Sequence, residues 1–318
     1  MTGDAVERIA NAILYEGYLL YPYRASALKN QRRWNFGVVY PRPYSEERGE
    51  LEPWKMQTEC LCQAGPLSTI QIKVRFLRLA ENWRADGPPQ HVQDAEETEI
   101  DLPERHLVEL MPTPLIQEFF FPGCFDREGP VNRRQQPLTG IVKAQAAEGK
   151  DGAWKITVQI ENVTPPTMGD ELLPATDQIL LQSLVSTHAI LRLGDGEFVS
   201  MTDPPEALRE AVAKCSNQGT WPVLVGDGEK RNTLLSSPII LYDYPQIAPE
   251  SPGDLFDGTE IDEILTLRIL TMTDEEKEEV RKTDPRARQL LERTETLAPE
   301  DFLKLHGVLR AVGSPGGV

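Results

Sequence analysis

The chain has 318 residues, of which 33 are Lys or Arg and 50 are Asp or Glu, so its net charge is −17 at pH 7. A hydrophobic fraction of 40% and a charged fraction of 26% are typical of a folded globular protein and exclude a disordered chain. The acidic balance argues against nucleic acid as a partner, because such binding depends on neutralisation of phosphates by Lys and Arg. The 26 prolines predict short elements and irregular loops rather than a bundle of long helices.

No segment predicts insertion into a membrane. A spanning helix needs about 20 apolar residues, and the most apolar N-terminal stretch, Ile13–Tyr21, is interrupted by Glu16 and Gly17. Asp4 and Glu7 precede that stretch, where a secretory signal would carry positive charge. Four cysteines are too few for a disulfide scaffold. We therefore expect a cytoplasmic protein.

The first predicted element is an amphipathic helix near the N-terminus, with Asp4 as its expected N-cap. Its apolar residues recur at three- and four-residue spacing, which places them on one face of the helix. These residues are Val6, Ile9 and Ile13.

Between this helix and residue 245 the pattern predicts mainly antiparallel strands. Apolar and polar residues alternate from Ile70 to Phe76 within Thr69–Leu79 and again along Trp154–Val163, as expected for strands with one buried face. Leu138–Ala144 and Trp154–Val163 predict a hairpin that turns at Glu148–Gly152. Further strands are predicted at Trp34–Tyr40, Thr58–Cys62, Phe119–Phe121 and Trp221–Val225.

Two stretches of this region predict other structure. Residues 81–104 are polar and rich in Pro, Glu and Asp, so we expect an exposed loop there. Asp203, followed by two prolines, is the expected N-cap of a short helix.

After residue 245 the composition changes. Residues 246–318 predict a proline-rich connection followed by an acidic helical arm, in which Thr259–Asp262 and Thr273–Glu276 have the pattern of capping boxes. We expect this C-terminal arm to dock on the body of the protein, on a second copy or on another protein. The sequence therefore predicts an α+β protein: an antiparallel β-rich body over residues 1–245, for which a sandwich is one arrangement, and a helical C-terminal arm over residues 246–318.

The cysteines are the sharpest candidates for chemistry. Cys60 and Cys62, with Cys124 and Cys215, could supply thiolates to zinc or an iron–sulfur cluster, and we expect shared ligation by the C-x-C pair to need a loop. The spacings match no standard ligand pattern, and buried free thiols beside strands are the alternative. A metal-binding or metal-delivery protein, or an enzyme that uses Cys60 and Cys62, is thus one functional hypothesis.

Few other features indicate an enzyme. His188 follows Ser186 and Thr187 and has the best local setting for catalysis among the four histidines, with a structural histidine as the alternative. The sequence contains no G-x-S-x-G elbow, no P-loop, no G-x-G-x-x-G and no kinase signature.

The aromatic and basic residues between positions 15 and 44 are the candidate partner-binding residues. Their rings and guanidinium groups suit contact with a protein partner. The alternative is that the aromatic residues are core and that the arginines pair with the acidic excess of the chain. These candidates are Tyr18, Tyr23, Arg24, Arg32, Arg33, Trp34 and Arg42.

The segments Tyr15–Arg24, Leu235–Asp243 and Ala248–Asp257 resemble an uncharacterised bacterial protein family whose members are found beside NiFe-hydrogenase genes. The resemblance implies an accessory or assembly role, with a hydrogenase subunit or maturation factor as partner, and it transfers no catalytic residue. We therefore expect a non-catalytic protein that binds another protein. A structural subunit that forms homo-oligomers through the arm is a further hypothesis.

Overall fold

The computed structural model describes residues 2–15, 36–49, 52–84, 92–128, 131–149, 152–165, 175–226, 228, 230–245 and 277. The chain divides into two units, Met1–Tyr15 with Trp34–Gln246 and Glu16–Arg33 with Ile247–Val318. Every described residue except Lys277 belongs to the first unit. The helical arm over residues 246–318 lies outside the described residues apart from Lys277, and it stays a prediction.

The helices of the described residues are short. The predicted N-terminal helix is confirmed as α1, Thr2–Tyr15, and none of the described helices is both long and apolar enough to cross a membrane. The expectation that Asp203 caps a helix is wrong, because the helical turn begins at Glu206 after Pro205. The other helices are α2 (Arg42–Glu47), α3 (Ala175–Leu180) and α4 (Arg209–Ala213), with 3-10 turns at Leu107–Leu110 and Glu206–Leu208.

The described residues form thirteen strands, which are short where prolines and glycines end them. In chain order they are β1 (Lys55–Gln63), β2 (Thr69–Arg84), β3 (Val92–Asp101), β4 (Arg105–His106), β5 (Leu115–Phe121), β6 (Cys124–Glu128), β7 (Val131–Gln135), β8 (Leu138–Glu148), β9 (Ala153–Asn162), β10 (Val185–Leu193), β11 (Glu197–Phe198), β12 (Trp221–Leu224) and β13 (Thr233–Ser237).

These strands form two antiparallel sheets, which confirms the predicted α+β class. The first sheet has the strand order β11-β1-β9-β8-β5, and the second has the order β12-β13-β10-β2-β7-β6, with β3 and β4 also paired to β2. The predicted hairpin is confirmed, since β8 and β9 pair from Gly140 opposite Asn162 to Glu148 opposite Trp154.

The two sheets pack on one hydrophobic core, as in a sandwich. Alternate residues of each strand face this core, because successive side chains of a strand point to opposite sides. From the first sheet the core includes Cys60, Cys62, Val142, Trp154 and Ile156, and from the second it includes Ile72, Val74, Phe76, Leu191 and Leu234.

α1 covers part of the outer face of the second sheet. Val6, Ile9 and Ile13, the apolar residues expected to share one face, are buried there in one cluster with Ile190 and Leu235. The helix is thereby stabilised by tertiary packing, which a segment of this length needs in order to stay helical in water.

The expectation of a loop at residues 81–104 is wrong. β2 continues to Arg84, and β3 pairs with it from Asp101 opposite Lys73 to Val92 opposite Asn82. β3 is acidic and has a low intrinsic preference for strand. Its carboxylates are held by basic residues of β2: Lys73 Nζ, for example, lies 2.9 Å from Glu99 Oε2.

The predicted strand at Trp34–Tyr40 is also wrong for the residues that are described. This segment contributes only an isolated bridge between Val39 and Leu184. Gly37 has φ +56°, and a Cβ at this position would lie 2.6 Å from the Cβ of Pro238. The chain therefore turns at Gly37 instead of continuing as a strand.

Candidate functional site

β1 places Cys60 and Cys62 on the same face of a strand. The expectation that only a loop would bring the C-x-C thiols to one side is wrong, because residues two apart in a strand point the same way. Both cysteines are free thiols, fully buried in the core. Burial raises the pKa of Cys60 well above its ordinary value and raises the pKa of Cys62 to about 12. Both thiols therefore stay protonated at neutral pH, which makes them poor ligands and nucleophiles.

The other two cysteines have separate surroundings. Cys124 lies on β6 of the second sheet, where its thiol donates to Gln135 Oε1 at 3.3 Å. Cys215 follows α4 and is half-buried, and burial raises its pKa to about 11. Within the described part of the chain, no group of three or more His, Cys, Asp or Glu side chains is placed to hold a metal ion. The described structure therefore does not bring Cys124 to Cys60 and Cys62 as a shared ligand set.

These environments predict the order in which the thiols react. With the native chain at neutral pH, iodoacetamide should modify Cys124 first and should leave Cys60 and Cys62 unmodified until the protein is unfolded in urea, because only a thiolate reacts and only an accessible sulfur is reached. Mass spectrometry of tryptic peptides measures each site. Modification of Cys60 or Cys62 in the native protein at the rate of Cys124 would contradict this assignment.

His188 lies in an irregular part of β10. The register of β10 against β2 shifts between Val185 and His188, and Ser186 has φ +52°, a backbone conformation that residues with a side chain rarely adopt. Ser186 Oγ donates to the carbonyl of Ile13 in α1 at 3.0 Å. His188 is fully buried, and its Nδ1 donates to the carbonyl of Ser186 at 2.9 Å. The bulge thus holds the imidazole beneath α1.

Arg75 lies opposite His188 on β2 and ties three elements together. Its guanidinium is only 3% exposed, yet carboxylates reach it from α1 and from β3. Arg75 lies 3.7 Å from Glu7, 3.4 Å from Glu97 and 2.8 Å from Glu99, measured between the nearest nitrogen and oxygen. This cluster neutralises a buried cation and fastens α1 to the sheet. It is a structural arrangement in which His188 has no nucleophile beside it among the described contacts.

A cavity of about 310 Å³ opens beside α1. Its lining is charged and includes Glu7, Lys73, Asp101 and Arg192. Lys73 is already paired with Glu99 and lies 4.0 Å from Asp101. Three of the lining residues, Glu7, Lys73 and Asp101, therefore belong to the ion pairs that hold β2, β3 and α1 together.

Of the seven candidate partner-binding residues, the structure describes Arg42. Its Nε lies 2.7 Å from Glu46 Oε1 within α2, and its guanidinium lies 4.6 Å from the ring centroid of Trp54. Tyr18, Tyr23, Arg24, Arg32, Arg33 and Trp34 lie outside the described residues.

The feature that sequence reasoning missed is the exposed face of β5. This strand ends the first sheet and pairs with β8 alone among the described strands. Ile116 is 55% exposed and Phe120 is 64% exposed, and both point to the same outer face with Glu118 between them. The sequence shows no alternation here, because Leu115-Ile116 and Phe119–Phe121 are apolar runs on either side of Gln117-Glu118, and only Phe119–Phe121 was predicted as a strand.

The inner face of β5 is also incompletely covered. Leu115, Phe119 and Phe121 pack against the core but are only partly buried. The ring of Phe119 lies over Gly140 of β8, where a Cβ would overlap this ring and approach the carbonyl of Glu161 to 2.7 Å. β5 is therefore fixed against β8 on one side, and no described strand pairs with its other side, where aromatic surface is exposed.

Other strands at sheet edges are protected in the usual ways. At β12, Leu224 N–H donates to Asp243 Oδ1 at 2.8 Å, and the Leu224 carbonyl accepts from Tyr244 N–H at 2.7 Å. β6 carries the charged run Asp126–Glu128. β6 and β12 each carry one large exposed apolar side chain, Phe125 and Trp221, whereas β5 carries two on one face, Ile116 and Phe120. We therefore take β5 as the candidate interaction site.

Comparison with known proteins adds no relative. The chain matches no protein-family model, and no curated protein sequence is significantly similar to it.

Proposed function

We propose that this chain is a non-catalytic accessory protein of the cytoplasm that binds another protein through β5. The observation that supports this most directly is the exposure of Ile116 and Phe120 on a strand with one free side. Large apolar side chains grouped on a surface mark sites of protein interaction. A free strand edge adds backbone donors and acceptors to which a partner strand can pair.

The surroundings of the reactive side chains support a non-catalytic role. Cys60 and Cys62 are buried and protonated, and His188 donates to the backbone of its own strand. Asp243 accepts from Ser200 Oγ at 2.5 Å and from Leu224 N–H at 2.8 Å, so this carboxylate serves to hold a loop against β12. These contacts give the thiols, His188 Nδ1 and Asp243 structural roles, which supports the proposal of a non-catalytic protein.

The resemblance of Tyr15–Arg24, Leu235–Asp243 and Ala248–Asp257 to proteins found beside NiFe-hydrogenase genes supports a more specific partner. We propose that the bound protein is a NiFe-hydrogenase subunit or a maturation factor. Such a partner passes through incompletely assembled states, in which unpaired strands and apolar surfaces are accessible to an accessory protein.

Affinity capture from the native host tests this function. The tagged full-length chain should retain a hydrogenase subunit or maturation factor, and the double variant Ile116→Asp/Phe120→Asp should lose it by at least about tenfold, because two charges replace the apolar contacts of the interface. Leu67→Asp is the matched control, since Leu67 is 71% exposed and lies in the turn between β1 and β2.

Three outcomes of the capture experiment contradict the proposal. Equal capture by the double variant and by the wild type would place the interface elsewhere. Loss of capture in Leu67→Asp as well would show a non-specific effect of an added charge. Capture that contains no hydrogenase component, in repeated quantitative mass spectrometry, would remove the hydrogenase partner from the proposal.

A further inference from the structure

We infer that the partner of β5 is an extended protein segment that joins the first sheet as an added strand and carries a Lys or Arg opposite Glu118. This inference rests on the proposed function and names the chemistry of the partner. On its free side β5 presents backbone N–H and C=O groups that no described strand pairs with. An added strand would pair with these groups by the same ladder of hydrogen bonds that joins β5 to β8.

The outer face of β5 determines the charge of the partner. Glu118 is exposed between Ile116 and Phe120 and has no ion-pair partner among the described residues. Lys143 of the neighbouring strand is paired with Glu161, Nζ to Oε1 at 2.6 Å. Opposite charges and apolar side chains stabilise a sheet when they face each other across strands. The complement of this face is a basic residue flanked, two positions to either side, by large apolar residues.

The inner face of β5 determines the alternate residues of the partner. Leu115, Phe119 and Phe121 contact the core and keep part of their surface in water. Apolar side chains on the inner face of an added strand would remove this surface from water and extend the core. Both faces therefore favour an apolar strand with one basic residue at its centre.

A second copy of this chain is a poorer occupant. In an antiparallel pair of two β5 strands, the register that puts Ile116 of each strand opposite Phe120 of the other also puts the two Glu118 side chains opposite each other. Like charges directly opposite each other destabilise a strand pair, and two chains of net charge −17 repel each other further. The same charge favours a basic segment of another protein.

Binding of synthetic peptides to the full-length chain tests the inference. The probe is a fluorescein-labelled peptide with Lys at its centre and Val or Ile at the alternate positions, two residues to either side, that share its face. Its matched control carries Glu in place of that Lys. By fluorescence anisotropy, the wild type should bind the Lys peptide about fivefold more tightly than the Glu peptide. Glu118→Lys should reverse this preference, and high salt should reduce it.

A third peptide tests whether the backbone is recognised. N-methylation of the Lys peptide at the residues whose N–H groups face β5 should abolish binding while the side chains stay the same, because it removes the ladder donors. Glu118 is exposed, so its substitution leaves the core intact, and circular dichroism of Glu118→Lys should match the wild type.

The outcomes separate this inference from the proposed function. Equal binding of the Lys and Glu peptides, or no binding of either, overturns the inferred partner chemistry, whereas capture that depends on Ile116 and Phe120 would leave the proposed function standing. Loss of both results overturns both. A concentration-dependent dimer in sedimentation that dissociates in Phe120→Asp would assign the strand edge to a second copy and would also overturn the inference.

Discussion

Replacement of Arg75 by Met should lower the free energy of unfolding by about 2–4 kcal/mol. Arg75 is 3% exposed, and its guanidinium neutralises Glu7, Glu97 and Glu99 and donates to Asn11 Oδ1 at 2.8 Å. Without it, three carboxylates converge on an uncharged side chain, and two contacts that fasten α1 to the sheet are lost. The carboxylates keep about two-fifths of their surface in water, which makes the cost smaller than for a fully buried group.

Urea unfolding followed by circular dichroism measures this loss, since urea does not screen charges. Lys73→Met is the matched control: Lys73 lies on β2 with Arg75 and also pairs with Glu99 of β3, but it is 30% exposed. Its loss should cost under about 1 kcal/mol. Hydrogen exchange of α1 should increase in Arg75→Met and not in Lys73→Met. Equal stability of the two variants would show that the buried cation does not hold the helix.

Stability should fall as the pH is lowered from 6.5 towards 4, with His188 as one cause. Burial lowers the pKa of His188 from 6.5 to about 4, and nearby Arg75 adds to this effect. Because the folded pKa lies below the unfolded one, folding favours the neutral imidazole. The stabilisation is complete above pH 6.5 and is lost as the pH falls through the folded pKa, by about 3 kcal/mol in all.

His188→Asn isolates this contribution. Its amide retains a donor for the carbonyl of Ser186, which accepts from Nδ1 at 2.9 Å in the wild type, but it does not titrate. Carboxylates with lowered pKa, such as Glu59 and Glu99, also weaken the fold in acid, and they are common to both proteins. Urea unfolding at a series of pH values should therefore show a shallower loss in the variant. Parallel curves would mean that His188 does not titrate with unfolding.

Local patterns in the sequence were sufficient for several elements. The spacing of Val6, Ile9 and Ile13 predicted α1, and the alternation in Trp154–Val163 predicted a strand of the β8–β9 hairpin. These predictions are confirmed because both patterns describe which side of a single element faces the core, and the hairpin partners are joined by a short turn. The antiparallel β-rich body follows from the same signals.

β3 and the bulge before His188 could not be predicted in this way. The acidic strand is stable because Lys73 and Arg75 lie beside it in β2, a pairing between residues far apart in sequence. Likewise, His188 is fully buried in the bulge of β10, which Ser186 ties to α1, although its neighbours in the sequence suggested a catalytic setting. In both cases the environment of a charged or polar group depends on which elements pack against it.

The candidate interaction site, too, was predictable from the sequence only in part. The sequence by itself determined that Phe119–Phe121 is an apolar strand and that the chain carries an excess of negative charge. Only the tertiary structure decided that β5 is the last strand of its sheet and that Ile116, Glu118 and Phe120 face water. The physical reason is that alternation tells which residues share a face, whereas the partners of a strand, and so its free side, are determined by packing with distant parts of the chain.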